Sequence, residues 1–307
     1  QGHSHLKVVG LAEDGEKGMK VIIETRPDVI LLDLEMPRMD GFTFLRWLMA
    51  NYPTPTLVLS SRADSQNVFK ALEFGACDFL SKLRLHEAWF KHSGEFISKI
   101  ETVATISKNK IALQPLPLPQ KTRHIQPLPQ KVSGVLAIGA STGGPRALYE
   151  IVKQLPENFC VPVVISQHMP AEFTPSFSET LNKKSFLPVT EVKGGETLEN
   201  GRIYLAPGGY HLVFEKRGLN VHTRLIEAGA GDIFVPSVDK MFGSVAELFG
   251  SKALGVLLTG MGYDGKVGFQ SIKEKGGTTF AESEETAVIY GMPRVAILAG
   301  VVDNVLP

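Results

Sequence analysis

The sequence predicts an α/β protein built from two domains. Strand-length apolar runs alternate with helical patterns in two regions of the chain, which is typical of open parallel sheets covered by helices. The length of 307 residues suits two domains of about 150 residues each. Between the two regions, residues 109–132 contain five prolines and show no helical or strand periodicity, which indicates a semi-extended linker. We therefore predict a first domain at 6–108, the linker at 109–132 and a second domain at 133–307.

The composition indicates a soluble globular protein and argues against several classes of partner. Hydrophobic residues make up 43% of the chain and charged residues 21%, with a formal net charge of zero. Without a basic excess, neither nucleic acid nor an anionic membrane is an expected partner. Two cysteines, Cys77 and Cys160, predict no disulfide framework and favour a reducing, cytoplasmic compartment. No apolar run reaches the roughly 20 residues of a membrane helix, so membrane insertion is not expected.

The first domain is predicted to be a parallel sheet with polar groups at one edge. Its strand-like runs are LKVVGLA, DVILLD, TLVLS and CDFLS, and helical patterns such as GEKGMKVIIETR and GFTFLRWLMANY lie between them. Asp33 and Ser60 end two of these strands, and Lys82 follows a third. Because ligands bind at the carboxyl ends of parallel strands, a carboxylate, a hydroxyl and an ammonium are expected to converge there.

The second domain is predicted to be a parallel sheet with a β-hairpin excursion. Its expected strands are VLAIGA (135–140), PVVISQ (162–167), RIYLAP (202–207) and ALGVLLT (253–259). Helical patterns include PRALYEIVKQL and SVDKMFGSVAELF. Residues 201–225 resemble two or three antiparallel strands instead, with turns at Gly208–Gly209 and Arg217–Gly218.

The turn GASTGG after the first of these strands permits two mechanisms. Backbone amides at the start of the following helix can cradle a phosphate. Ser141 stands where a dinucleotide fingerprint needs its second glycine, however, and no GK[ST] follows, which weakens that interpretation. The same residues match G-x-S-x-G, in which a serine is exposed on a sharp strand-to-helix turn as a nucleophile.

A nucleophilic serine needs a base and an orienting acid, and few residues can supply them. The histidines after Ser141 are His168, His211 and His222, and no aspartate lies between Ser141 and His222. The order Ser, Asp, His could therefore use only a glutamate as its acid and is disfavoured. The order Ser, His, Asp remains: His168 and Asp264 each follow a predicted strand and should reach the same edge of the sheet as Ser141. The alternatives are a turn serine, a hydrogen-bonded strand-end histidine and an Asp264 that caps its own helix. His211 and His222 are interpreted as structural or surface residues, and no spacing indicates a metal site.

Five ordered motifs in the second domain resemble a known family. They are IGASTGGP, ISQHMP, PSVD, LLTGMGYDG and YGMPR, and they resemble the catalytic domain of the chemotaxis protein-glutamate methylesterases, the CheB family. The segment DVILLDLEMPRMDGFTFLRWLM resembles the response-regulator receiver that precedes this domain in the same family. The resemblance implies a Rossmann-like methylesterase domain and a flavodoxin-like receiver.

The resemblance also implies an activity and roles for individual residues. The expected reaction is hydrolysis of glutamate γ-methyl esters, with possible deamidation of glutamines, on methyl-accepting chemotaxis receptors. It would be regulated by phosphorylation of the receiver and requires no cofactor. Ser141 would be the nucleophile, His168 the general base and Asp264 the group that orients His168. The backbone amide of Met261 would bind the oxyanion, with Thr142 close by. Family members often carry basic residues before PSVD where this chain has GDIFV, which affects expectations for receptor docking.

For the receiver, the resemblance implies Asp33 as phosphoacceptor, Ser60 as switch hydroxyl, Lys82 as phosphate partner and the chemotaxis histidine kinase as phosphodonor. Only one strand and one helix precede Asp33, so the first strand and helix of a receiver are missing. Glu13 and Asp14 are expected in the loop entering the helix rather than as the acidic pair. An intact receiver needs Mg²⁺ held by that pair, so we expect inefficient phosphorylation of this chain. The alternative functions are a nucleotide- or phosphate-binding module and a non-catalytic receptor adaptor that use the GASTGG turn.

Overall fold

A computed structural model describes residues 6–60, 65–82, 93–111 and 132–307. The chain divides into two compact units, Gln1–Leu116 and Pro117–Pro307. Most of the predicted linker, residues 112–131, lies outside the described residues. In the described ranges, no helix combines the length and hydropathy needed to cross a membrane.

The first unit is a parallel sheet with helices between its strands, as predicted for this region. Its elements are α1 (Gly15–Thr25), β1 (Ile30–Asp33), α2 (Gly41–Asn51), β2 (Thr56–Ser60), α3 (Ser65–Glu73), β3 (Asp78–Ser81), α4 (Ser93–Ala104) and α5 (Lys108–Ile111). The strand order is β1-β2-β3, with both pairings parallel. Asp14 accepts a hydrogen bond from Lys17 N as the N-cap of α1, so Glu13 and Asp14 lie in the turn that enters this helix.

The predicted strand LKVVGLA does not form. Residues 6–12 have no regular structure, and the side chains of Val8 and Leu11 are 78% and 88% exposed. A strand is stable only when neighbouring strands pair with its backbone groups. Within the described residues the sheet ends at β1, so apolar composition alone does not make this segment a strand.

The second unit is a larger parallel sheet with helices between most strands and one antiparallel hairpin. Its elements are β4 (Val135–Ala140), α6 (Gly144–Val152), β5 (Val163–Gln167), α7 (Thr174–Lys184), β6 (Val189–Glu191), β7 (Ile203–Leu205), β8 (Tyr210–Arg217), β9 (Asn220–Glu227), α8 (Val238–Phe249), β10 (Ala253–Leu257), α9 (Lys266–Glu274), β11 (Thr278–Glu282), α10 (Met292–Leu298) and β12 (Asn304–Leu306). The strand order is β12-β11-β10-β4-β5-β7-β6, and these pairings are all parallel. The predicted two-domain α/β fold class is confirmed.

The hairpin differs in detail from its prediction. RIYLAP contributes β7 to the parallel sheet, while β8 and β9 pair antiparallel and β8 packs against α8. Arg217 pairs with Asn220, so the turn is Gly218–Leu219 and not Arg217–Gly218. The first turn position has a φ of 62° at Gly218, a left-handed value that glycine adopts without steric cost.

The three central strands β10, β4 and β5 place the functional edge. In their parallel register Gly139 lies beside Leu257 on one side and Ser166 on the other. Every residue of β5 is buried, as expected for a strand covered on both faces. Residues that directly follow these strands therefore emerge side by side at one edge of the sheet.

Candidate active site

Ser141 is held in the turn between β4 and α6. Its backbone N–H donates to Thr259 O at 3.0 Å, and its carbonyl accepts from Gly144 N at 2.8 Å. A Cβ on Gly260 would lie 2.7 Å from the Ser141 Cβ, so only glycine allows this close approach of the two turns. The serine therefore sits against the turn that follows β10.

His168 follows β5 at the position that matches Ser141 after β4. Ala140 pairs with Gln167 in the parallel register, and His168 N donates to Ala140 O at 3.0 Å. Neighbouring strands lie about 4.8 Å apart, so the two side chains leave adjacent strands at the same level. The Gln167 side chain ties the two turns together, because its Nε2 donates to the carbonyls of Ser141 (2.9 Å) and His168 (3.1 Å).

Asp264 lies in the turn between β10 and α9 and is 2% exposed. His168 Nε2 is 2.8 Å from Asp264 Oδ2. The carboxylate accepts further hydrogen bonds from Ser237 Oγ (3.1 Å), Val238 N (2.6 Å), Asp239 N (2.9 Å) and Gly265 N (3.1 Å). Asp264 therefore caps the N-terminus of α8, not that of its own helix α9 as the alternative interpretation expected.

The pKa values of two neighbouring carboxyl groups, Asp264 and Asp239, are shifted in opposite directions. Burial alone would raise the pKa of Asp264, but the hydrogen bond and charge of His168 and the backbone N–H groups of Asp239 and Val238 hold it below its usual range. Burial raises the pKa of Asp239 to about 6, and the charge of Asp264 adds to this effect. As pH rises, the carboxyl group that faces His168 is thus the first of the two to ionise.

The ionised Asp264 determines which nitrogen of His168 carries the proton. A carboxylate can only accept, so Nε2–H is the donor and Nδ1 is the free acceptor. Among the described residues, no hydrogen bond joins the Ser141 hydroxyl to the imidazole. Such bonds are often long before substrate binds. The structure therefore brings His168 and Asp264 into direct contact and places Ser141 on the adjacent strand end.

Thr142 and Met261 lie in the two turns that meet at Ser141. The Thr142 carbonyl accepts from Thr259 Oγ1 at 2.9 Å, and its side chain is buried. Met261 is partly buried and directly follows Gly260. The Gly260 carbonyl accepts from the backbone N–H of Met292 at 2.9 Å, which explains why the YGMPR segment accompanies this turn.

Sequence reasoning missed an aromatic side chain at the site. The ring of Phe234 stacks on the imidazole of His168, with centroids 4.9 Å apart and an angle of 10° between planes. Phe234 lies in the loop GDIFV before PSVD, and the signal available was its position next to a motif of the resemblance. Nothing in the residue type alone predicts that this loop folds over the histidine.

In the first unit, the three predicted residues do converge at strand ends. Lys82 Nζ contacts both carboxylate oxygens of Asp33, at 2.8 and 2.7 Å. Ser60 ends β2 beside Ser81 of β3. Throughout the described ranges, no group of three or more His, Cys, Asp or Glu residues could hold a metal ion. Because the ammonium group of Lys82 contacts both carboxylate oxygens of Asp33, the described residues do not by themselves fit a divalent cation.

A parallel α/β domain with a His–Asp pair beside a strand-end serine is typical of serine hydrolases. Residues 136–307 match the family model for CheB methylesterase, and residues 2–88 match the model for the response regulator receiver domain. The chain belongs to the CheB methylesterase family and carries a receiver domain.

Named relatives agree with this assignment. The protein-glutamate methylesterase/protein-glutamine glutaminase 3 of Geobacter sulfurreducens is 43% identical and covers 98% of this chain and 87% of its own length. The corresponding protein 1 of Myxococcus xanthus is 40% identical over 98% of this chain and 86% of its own. The crystal structure of the Thermotoga maritima CheB methylesterase catalytic domain is 42% identical, with a TM-score of 0.56 over 57% of this chain and 93% of that one. A nucleotide-binding or non-catalytic module is not favoured.

Proposed function

We propose that Ser141, His168 and Asp264 form a catalytic triad that hydrolyses glutamate γ-methyl esters on methyl-accepting chemotaxis receptors. The observation that carries this proposal is the 2.8 Å contact between His168 Nε2 and Asp264 Oδ2, at the strand end next to that of Ser141. The proposal gives each of the three strand ends a separate role.

In the first half of the reaction, Ser141 Oγ attacks the ester carbonyl carbon and His168 Nδ1 takes the hydroxyl proton. Asp264 stabilises the imidazolium that results, because it accepts from Nε2–H throughout. The carbonyl oxygen becomes an oxyanion, for which the backbone N–H of Met261 is the proposed donor, with Thr142 alongside. His168 then gives its proton to the methoxide, and methanol leaves an acyl-serine.

In the second half, His168 removes a proton from water, and the hydroxide attacks the acyl carbon. The Ser141 oxygen recovers its proton from His168, and the product is a glutamate carboxylate. Deamidation of a receptor glutamine follows the same steps with ammonia as the leaving group. Neither reaction draws on an oxidant, a reductant or a metal-bound step.

Ser141→Ala tests the triad against a matched control. Removal of the nucleophile should lower kcat for methanol release from methylated receptor by about 10⁴-fold. Ser251→Ala removes an exposed serine at the amino-terminal edge of the same sheet, two residues before β10 begins, and should leave the rate unchanged. An S141A variant that keeps more than a tenth of the wild-type rate removes the nucleophile assignment.

We also propose that Asp33 is the phosphoacceptor of the receiver, with the chemotaxis histidine kinase as phosphodonor in the cytoplasm. The contact of Lys82 with Asp33 supports this, since the ammonium would offset the charge of a phosphoryl group. Ser60, at the end of the neighbouring strand, is the proposed switch hydroxyl. Because the described residues do not fit Mg²⁺, no step of the proposal passes through the ion.

A further inference from the structure

The imidazole of His168 is fixed on two sides by different residues. Asp264 holds its Nε2 edge, and the ring of Phe234 covers one face. Phe234 is in turn held by the edge of Tyr263, with ring centroids 5.3 Å apart. Gly262 has a φ of 95° and a Cβ there would lie 2.9 Å from Phe234 Cζ, so this turn leaves room for the phenyl ring because it is glycine.

A second, buried His–Asp pair pins the loop that carries Phe234. His211 is 0% exposed, and its Nε2 is 2.8 Å from Asp232 Oδ2. On the other side of its ring, Nδ1 accepts from Ser237 N at 3.0 Å. One imidazole therefore joins the residue two positions before Phe234 to the residue three positions after it, and closes the segment between them.

Asp232 strengthens this closure through further contacts. Its Oδ1 accepts from Lys240 Nζ at 2.7 Å and its Oδ2 from Gly229 N at 2.8 Å. The hydrogen bond from Lys240, followed by those from Gly229 and His211, lowers the pKa of Asp232 below its usual range. The carboxylate is thus ionised and bound to the loop, to α8 and to β8 at neutral pH.

We propose that Phe234 is a positioning residue for His168 and that the His211–Asp232 pair holds it in place. The inference rests on the proposed function, since His168 is the base in that reaction. Because Nε2 lies close to the axis of the Cβ–Cγ bond, the single hydrogen bond to Asp264 restrains rotation of the imidazole about that bond only weakly. The stacked ring fixes the plane, and with it the direction in which Nδ1 faces Ser141. Phe234 acts through His168 and takes no part in the chemistry itself.

The test compares Phe234→Leu, which removes the aromatic face, with Phe234→Tyr, which keeps it. F234L should lower kcat about tenfold, because small misplacements of a catalytic group are costly, while KM stays within about twofold. F234Y should restore most of the wild-type kcat. Phe186→Leu is the matched control, since this partly buried phenylalanine follows α7 at the opposite edge of the sheet, and its kcat should not change.

A second readout does not depend on activity. In full-length protein with ¹⁵N-labelled histidine, the His168 signals should show the Nε2–H tautomer in the wild type and in F234Y. F234L should broaden and shift the His168 signals because the ring plane is no longer fixed, while Asp264 keeps the proton on Nε2. Asp232→Asn should shift the signals in the same direction by a smaller amount. His168→Gln assigns the signals, and unfolding curves establish that each variant is folded.

The outcomes separate this inference from the proposed function. If F234L keeps kcat within about twofold and its His168 signals are unchanged, the positioning role is wrong. A rise in KM at constant kcat overturns it too, because Phe234 would then bind substrate. If the wild type releases no methanol, the proposed function fails, yet the effect of F234L on the His168 signals still decides whether Phe234 positions the imidazole.

Discussion

Asp264→Asn tests whether this carboxylate fixes the tautomer of His168. The carboxylate receives hydrogen bonds on both oxygens, and an asparagine amide accepts on one side only. Two donors, His168 Nε2 and Val238 N, point at Oδ2. Two backbone donors, Asp239 N and Gly265 N, point at Oδ1 together with a serine hydroxyl that can also accept. The variant must therefore leave one of the two sides facing an amide nitrogen.

The amide takes the orientation that leaves fewer hydrogen-bond donors without an acceptor. With its oxygen towards His168, the amide nitrogen faces two backbone N–H groups. With its nitrogen towards His168, one backbone N–H, that of Val238, has no acceptor. The imidazole can then accept a hydrogen bond from the amide at Nε2 if its own proton moves to Nδ1. Each buried N–H without an acceptor costs about 1–3 kcal/mol. The second orientation leaves one fewer such group and is preferred by a similar amount. D264N should thus be about 1–3 kcal/mol less stable and hold His168 mainly in the unproductive tautomer.

The expected loss of kcat is about 10⁴-fold, the size seen for this substitution in a well-studied serine hydrolase triad. Methanol release gives kcat and KM, ¹⁵N signals of His168 give the tautomer, and urea unfolding gives the stability. The matched control is Asp303→Asn at the opposite edge of the sheet, where the carboxylate accepts from Thr279 N at 2.9 Å and Lys273 Nζ at 2.8 Å. D303N should lose stability but not kcat. A D264N variant with the Nε2–H tautomer and more than a tenth of the wild-type kcat refutes the reasoning.

Three further predictions concern other parts of the chain. Because the pKa of Asp239 is raised to about 6, the folded state binds its proton more tightly than the unfolded state does, and the stability that results is lost as pH rises from about 4 to 6. Asp239→Asn should therefore gain stability relative to the wild type across that range. An equal difference between the unfolding free energies of the variant and the wild type at pH 4.5 and at pH 7, measured in urea, would contradict this. A Cβ on Gly243 within α8 meets nothing within 4 Å, so Gly243→Ala should stabilise the fold by about 0.5–1 kcal/mol, and an unchanged or lower melting temperature speaks against it. Incubation of this chain with radiolabelled acetyl phosphate and Mg²⁺ should give little label on Asp33, while near-stoichiometric label that disappears in Asp33→Asn would show that the carboxylates of the described residues suffice for phosphorylation.

The main catalytic candidates could be predicted because they follow strands whose apolar sequences identify them clearly. Ser141 and His168 directly follow long apolar runs that form central strands, and the strand register brings their backbones together. Asp264 follows the third such run within a few residues. Parallel strands have one carboxyl edge, so the order of elements is enough to predict that these residues lie at the same edge of the sheet.

The parts that the sequence did not reveal depend on contacts between distant segments. The edge strands β6 and β12 and the five-residue strand β11 between β10 and β12 have mixed composition, with sequences VTE, NVL and TTFAE. They form strands because they pair with the backbone of a neighbouring strand. LKVVGLA is the opposite case, since it is apolar but has no paired neighbour among the described residues. His211 was interpreted as structural, and no local pattern indicates that its ring joins Asp232 to Ser237 N.

Reciprocal capping explains how a buried carboxyl group, Asp264, and a partly buried one, Asp239, coexist near one histidine. Asp264 accepts hydrogen bonds from the backbone N–H groups at the N-terminus of α8. Asp239, in the first turn of α8, accepts hydrogen bonds from Gly265 N (2.9 Å) and Gly268 N (2.7 Å) at the start of α9. Both thus lie at helix N-termini, which favour negative charge. Only Asp264 also faces His168, and this contact keeps it ionised while burial and the neighbouring charge raise the pKa of Asp239. As pH rises, the first negative charge at this helix pair therefore falls on the carboxyl group that faces the imidazole.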